Sequence, residues 1–167
     1  MPYSISDINQ MSQSAFVEAF GAVFEETPDI AAQAWQARPF SNVSALHAAM
    51  VAVVNSWTPA EQLKLIAAHP DLGSRVQMAA ASVQEQSGAG LSQLSADDYA
   101  RFQRLNDAYK EKFGFPFVMA VKGCDKETIL QAFETRQQND ISQEREKSLS
   151  EIFRIARFRL DDLLKAE

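Results

Sequence analysis

Near the C-terminus, apolar residues return at Leu149, Ile152, Phe153, Ala156, Leu160 and Leu163, the spacing that places side chains on one face of a long helix. The same period runs through most of the chain. Ile5, Ile8 and Met11 lead into Phe16, Val17, Phe20, Val23 and Phe24, and Leu46, Met50, Val53, Val54 and Trp57 make a later stripe. No alternating βα pattern, repeat, low-complexity tract or interdomain linker interrupts it. The pattern predicts an all-α fold, a single compact domain over residues 1–167 with about eight helices.

Breaks in the rhythm mark the helix ends. Thr27-Pro28 restarts a helical pattern through Ile30, Ala31, Ala34 and Trp35, and Arg38-Pro39 ends it. Thr58-Pro59-Ala60-Glu61 has the form of a capping box with proline at the first helical position. That helix should stop at His69, because the residue before Pro70 is pushed toward extended backbone. An alanine-rich helix is expected from Ser74 to Gln86. Ser95 should cap a helix through Phe102, Tyr109 and Phe113, and Asp125 one through Ile129, Leu130 and Phe133. Between these two, Phe113–Gly123 breaks the period and is too apolar for an ordinary surface loop.

Composition narrows the function classes. At 167 residues the chain can bury a sizeable core, and its net charge of −6 argues against nucleic acid or an anionic membrane as the main partner. Cys124 is the one cysteine, so no disulfide forms within the chain and a reducing compartment is the natural expectation. Without an apolar run of membrane-span length, a leader-like start or a Ser-Lys-Leu ending, the expected location is the cytoplasm.

Few residues can carry chemistry. Neither Glu-x-x-His pairs nor His-Glu-x-x-His occurs, so no metal site is expected, and no glycine-rich phosphate loop or Gly-x-Ser-x-Gly elbow is present. His69 is either a ring complementing a helix C-terminus or an acid/base group. Ser82, Glu85 and Gln86 share one helical face, which serves equally as a solvated surface or as a ligand contact. Arg159 falls at the edge of the final stripe, where it snorkels or reaches a ligand, whereas Arg154 lies outward. Phe158 also points off the stripe, a weak sign of a partner surface. The Phe115–Gly123 run is a buried core loop or a backbone surface presented to a ligand.

Together, His69-Pro70-Asp71-Leu72-Gly73, Ser82-x-x-Glu85-Gln86-x-x-Ala89-Gly90-Leu91, Phe113-Gly114-Phe115-Pro116-Phe117-Val118 and Arg159-Leu160 resemble the OHCU decarboxylase family. Phe40-Ser41 and Leu105-Asn106-x-x-Tyr109 fit as well. OHCU is 2-oxo-4-hydroxy-4-carboxy-5-ureidoimidazoline, a ureide of urate breakdown. The resemblance implies an all-α, cofactor-free, usually homodimeric enzyme acting on a small-molecule ureide. It implies His69 as the catalytic acid/base with Glu85, and Pro70, Ser82, Gln86, Arg159 and the backbone of Val118, Met119, Ala120, Val121 and Lys122 lining the substrate site. Position 122 is lysine where some relatives carry arginine, so its backbone is the firmer expectation. Without the resemblance, a ureide- or protein-binding helical module and a cyclic-ureide hydrolase using Glu85 stay open.

Overall fold

A computed structural model describes residues 2–72 and 95–166. The all-α expectation holds. Among the described residues there are eight α-helices and one 3₁₀ turn, with no strand beyond a single isolated bridge. They are α1 (Ile5–Gln10), α2 (Gln13–Phe20), α3 (Asp29–Ala34), the 3₁₀ turn Trp35–Ala37, α4 (Val43–Asn55), α5 (Pro59–Ala68), α6 (Ala96–Phe113), α7 (Lys126–Arg136) and α8 (Ile141–Leu163). Contacts group the chain into two compact units, Met1–Ala68 with Ile152–Glu167, and His69–Glu151. The helix expected from Ser74 to Gln86 lies outside the described residues.

The first unit is held by an apolar core. Ile8, Phe16, Phe20, Ile30, Leu46, Met50, Val54, Ile66, Ile152, Ala156 and Leu160 are all buried. The opening stripe is two helices rather than one. The Ser12 hydroxyl accepts the Ala15 N–H and starts α2, so a local cap competes with the apolar period and wins. Val23 and Phe24, expected on that helix, follow its end yet stay buried in turns. Further on, the Asn9 carboxamide bonds both the N–H and the C=O of Phe40, at 2.7 and 2.9 Å. The Arg38 guanidinium sits 3.8 Å over the Trp35 ring and donates to the carbonyls of Asn9 and Met11. Tyr3 bridges the chain's other end, its N–H donating to Leu163 and its C=O accepting from Lys165. Phe158 is half-buried rather than turned outward, and of the described large apolar side chains Ile141 stands out as exposed.

In the second unit the caps read from sequence are in place. Ser95 and Asp98 form a reciprocal capping box on α6, and the Asp125 carboxylate accepts the Thr128 N–H at the start of α7. Gly114 ends α6 in the left-handed region, at φ +77°, which an L side chain rarely adopts. The chain then runs without regular structure from Phe115 to Val121, and all of those residues except the half-buried Pro116 are buried. Tyr109 anchors the aromatic cluster beneath it, in contact with Phe113, Phe115 and Phe117, while Phe117 stacks on Phe133 at 3.8 Å.

Candidate functional site

His69 stands where the helix is forced to stop. Thr58 and Glu61 exchange side-chain-to-backbone bonds at the head of α5, and the helix ends at Ala68, one residue before the histidine. Pro70 prevents its continuation. The imidazole is buried, at 6 % exposure, although it follows a surface helix end. The next residues hold it there. Leu72 is in the core, and the Asp71 carboxylate accepts a bond from Lys110 on α6 at 3.0 Å. Pro70 itself is exposed. The imidazole is thus removed from bulk water on a segment fixed from two sides.

The same unit carries the apolar Val118–Val121 segment, with Lys122 exposed at its end. Beside it lies a set of buried polar side chains. Arg136 ends α7 and is 3 % exposed, and Glu144, Ser148 and Glu151 recur along α8 at 0–2 %. All three nitrogens of the Arg136 guanidinium donate. Its Nε donates to Glu144 at 2.8 Å, its Nη2 to the Ser148 hydroxyl at 3.1 Å and its Nη1 to the Val118 carbonyl at 2.7 Å. The Glu144 carboxylate also accepts from the Tyr109 hydroxyl and from Asn139. Glu151 accepts the Ala120 N–H at 3.3 Å. Arg136 also lies 4.3 Å from the Phe117 ring centre. Burial first, then the hydrogen bond donated to Glu144, holds the Tyr109 phenol well above its ordinary pKa, so it stays a donor at neutral pH.

Arg159 belongs to the first unit. Half-buried, it donates to the carbonyls of Ala22 and Val23 and pairs with Glu25 at 2.6 Å. It does leave the face of α8, as its place at the edge of the stripe implied. Arg154 is exposed. Two surface clefts of the first unit, one lined by Glu26, Trp57, Glu61 and Lys64, the other by Arg157, Asp161 and Lys165, contain none of the predicted site residues. Ser82, Glu85 and Gln86 lie outside the described residues, and with them the geometry between Glu85 and His69.

Sequence reasoning passed over Arg136, Glu144, Ser148 and Glu151. A signal exists for Arg136, which extends the Ile129–Phe133 stripe of α7 and so is inward by position. Glu144, Ser148 and Glu151 follow one another at i, i+4 and i+7 but lie on another side of α8 from the Leu149–Leu163 stripe, so that stripe does not point to them. Inward polar groups need partners wherever they fall.

The comparisons with known proteins point one way. The family model for OHCU decarboxylase matches residues 9–161. A 2-oxo-4-hydroxy-4-carboxy-5-ureidoimidazoline decarboxylase from Halalkalicoccus jeotgali is 44 % identical over 96 % of this chain and 91 % of its own length. One of the same name from Haloferax volcanii is 42 % identical over 98 % of both chains. Among solved structures, an (S)-allantoin synthase superposes with a TM-score of 0.78 at 28 % identity over 97 % of this chain, which spans about half (54 %) of that longer one. With a match over nearly its whole length and relatives well above 30 % identity, the chain belongs to the OHCU decarboxylase family.

Proposed function

We propose that this protein is a cofactor-free carboxy-lyase that converts 2-oxo-4-hydroxy-4-carboxy-5-ureidoimidazoline to (S)-allantoin and carbon dioxide in urate breakdown. One observation carries the assignment to this chain's own residues: within the family-matched span, His69 is buried on a segment fixed by Leu72 and by the Asp71–Lys110 pair.

The reaction sets the requirements. The bond from the ring carbon to the carboxylate breaks, and its electron pair moves into the adjacent ring unsaturation. The hydroxyl oxygen gives up its proton and becomes a carbonyl, while the ring nitrogen that received the electron pair and the adjacent ring carbon each take up a proton, so that one proton is consumed overall. The ring itself accepts the electrons, so the protein supplies orientation, compensation of developing charge, and a proton delivered to one face. His69 gives or relays that proton. Glu85 and Gln86, with Pro70 and Ser82, hold the hydroxyl and ureido groups so that a single face meets the imidazole. The Val118–Lys122 backbone binds ring amide groups.

Arg159 holds a ring or ureido oxygen rather than the scissile carboxylate. A guanidinium clamped on that carboxylate would stabilise the ground state, because the charge departs in the reaction. The pairing of Arg159 with Glu25 supports this, since part of its charge is already compensated and one of its donors already taken. A complex with an intact-substrate mimic that shows a bidentate Arg159–carboxylate pair would contradict it.

Freshly generated substrate tests the whole assignment. Rapid carbon dioxide release with optically active allantoin is the expected result. Saturable binding without turnover would make the protein a ureide-binding module, and ring opening would make it a hydrolase. No described helix is long and apolar enough to cross a membrane. The proposal includes a homodimer in the cytoplasm, which sedimentation and cell fractionation check directly.

A further inference from the structure

The buried network around Arg136 needs a reason beyond stability. Arg136 and Glu144 are both almost inaccessible to water, at 3 % and 0 %. Replacing a buried ion pair by well-packed apolar residues is often neutral or stabilising, so burial of this pair is a poor way to hold a core together. What the pair does do is fix geometry. A planar guanidinium held at each of its three nitrogens restricts the orientation of the carbonyl it grips. That carbonyl is Val118's, and two residues on, the Ala120 N–H is gripped by Glu151.

The spacing matters. Val118 C=O and Ala120 N–H are the held edge of this segment, turned toward α7 and α8, while the Ala120 carbonyl faces the Cys124 thiol at 3.8 Å. Met119 N–H, Met119 C=O and Val121 N–H make up its other edge, in the order donor, acceptor, donor. The Val121 carbonyl is taken up by the Cys124 N–H at 2.9 Å, which ends the segment in a turn. A cyclic ureide with a ureido arm carries alternating carbonyl and N–H groups, the complement of such an edge.

We propose that Arg136 and Glu151 are positioning residues for the decarboxylation. By holding one edge of residues 118–121, they set the register of the other edge against the ureide. The proposal rests on the function assigned above. Neither side chain touches substrate; each acts through the backbone it grips. Loosening the grip lets the ring tilt, so that protonation reaches both faces.

The test uses full-length Arg136→Lys, Glu151→Met and Glu151→Gln, assayed on fresh substrate at enzyme concentrations where spontaneous decay contributes negligibly. Turnover, KM, the enantiomeric excess of allantoin and Tm are measured together. Arg136→Lys keeps the charge but loses the fork, and Glu151→Met removes the acceptor. Both should lower kcat/KM by about 10- to 100-fold and erode the enantiomeric excess, whereas Glu151→Gln, which keeps an acceptor oxygen, should restore both. A structural role alone would lower Tm and leave the enantiomeric excess of the folded fraction at the wild-type value, and that result overturns the proposal. Should Arg136→Lys not fold, the Glu151 pair decides. If the wild-type protein fails to turn the substrate over, the assigned function falls and takes this inference with it; if wild type is active and the variants match it, this inference alone falls.

Discussion

The two units of this chain solve burial differently. In the first, residues 1–68 and 152–167, phenylalanine, leucine and isoleucine side chains fill the interior, and polar groups mainly cap helices and turns. In the second, residues 69–151, an arginine, two glutamates, a serine, an asparagine and His69 are buried alongside the aromatic cluster. Among the described residues, Gln62 is the one buried polar side chain of the first unit, and from α5 it donates to the Val54 carbonyl near the end of α4. An apolar interior tolerates adjustment, because dispersion and transfer energies are not directional. A buried network of charges and hydrogen bonds has few arrangements that satisfy every group, so it fixes backbone that an apolar core would leave free to shift. The unit that carries His69 and the Val118–Lys122 segment is the one built that way.

The largest expected effect falls on His69. His69→Asn should lower turnover by about 10² to 10⁴ if the ring moves the proton, with helical content by circular dichroism unchanged. Turnover near the wild-type rate would remove the acid/base role and reduce the contrast between units to one of packing.

Next in size is Glu144. Glu144→Leu leaves Arg136 buried without its carboxylate partner and should cost about 3–5 kcal/mol in denaturant unfolding. Replacing both partners, as Arg136→Met with Glu144→Leu, should recover much of that loss, because neither charge is then stranded. In the first unit, Leu46→Ala should cost about 2–5 kcal/mol through cavity formation, and no polar change elsewhere should restore it. Equal behaviour of the two sites would break the comparison.

Tyr109 gives a smaller, pH-dependent contrast. Its phenol is raised above the usual value of about 10 by burial and by the bond to Glu144. The unfolded chain therefore loses this proton before the folded one does. The contribution is fully present below about pH 10 and declines as pH rises beyond it toward the folded value. Urea midpoints measured from pH 9 to 11 should fall for wild type more steeply than for Tyr109→Phe, and identical slopes would refute the assignment. Smallest are the caps. Ser12→Ala and Ser95→Ala should each cost about 1 kcal/mol in thermal unfolding, one per unit, since capping works locally in either kind of interior.

Much of this was legible in the residues themselves. The apolar periods predicted an all-helical chain, and Thr58-Pro59, His69-Pro70, Ser95 and Asp125 marked ends that lie where expected. Such signals are local. A cap or a proline acts within a turn of itself, so it survives translation from sequence to structure. Ser12 shows the limit, because an apolar stripe runs through a break that one hydroxyl makes.

By itself, then, the sequence determined the fold class, most of the helix ends, the place of His69 before Pro70 and the family. Tertiary structure alone decided that Arg136 takes hold of the Val118 carbonyl and Glu151 of the Ala120 N–H, 18 and 31 positions away. The physical reason is one of range. Helix periodicity names the face on which a residue lies, but which carbonyl a buried guanidinium meets depends on how two helices and an irregular segment pack. No spacing within any one of them encodes that.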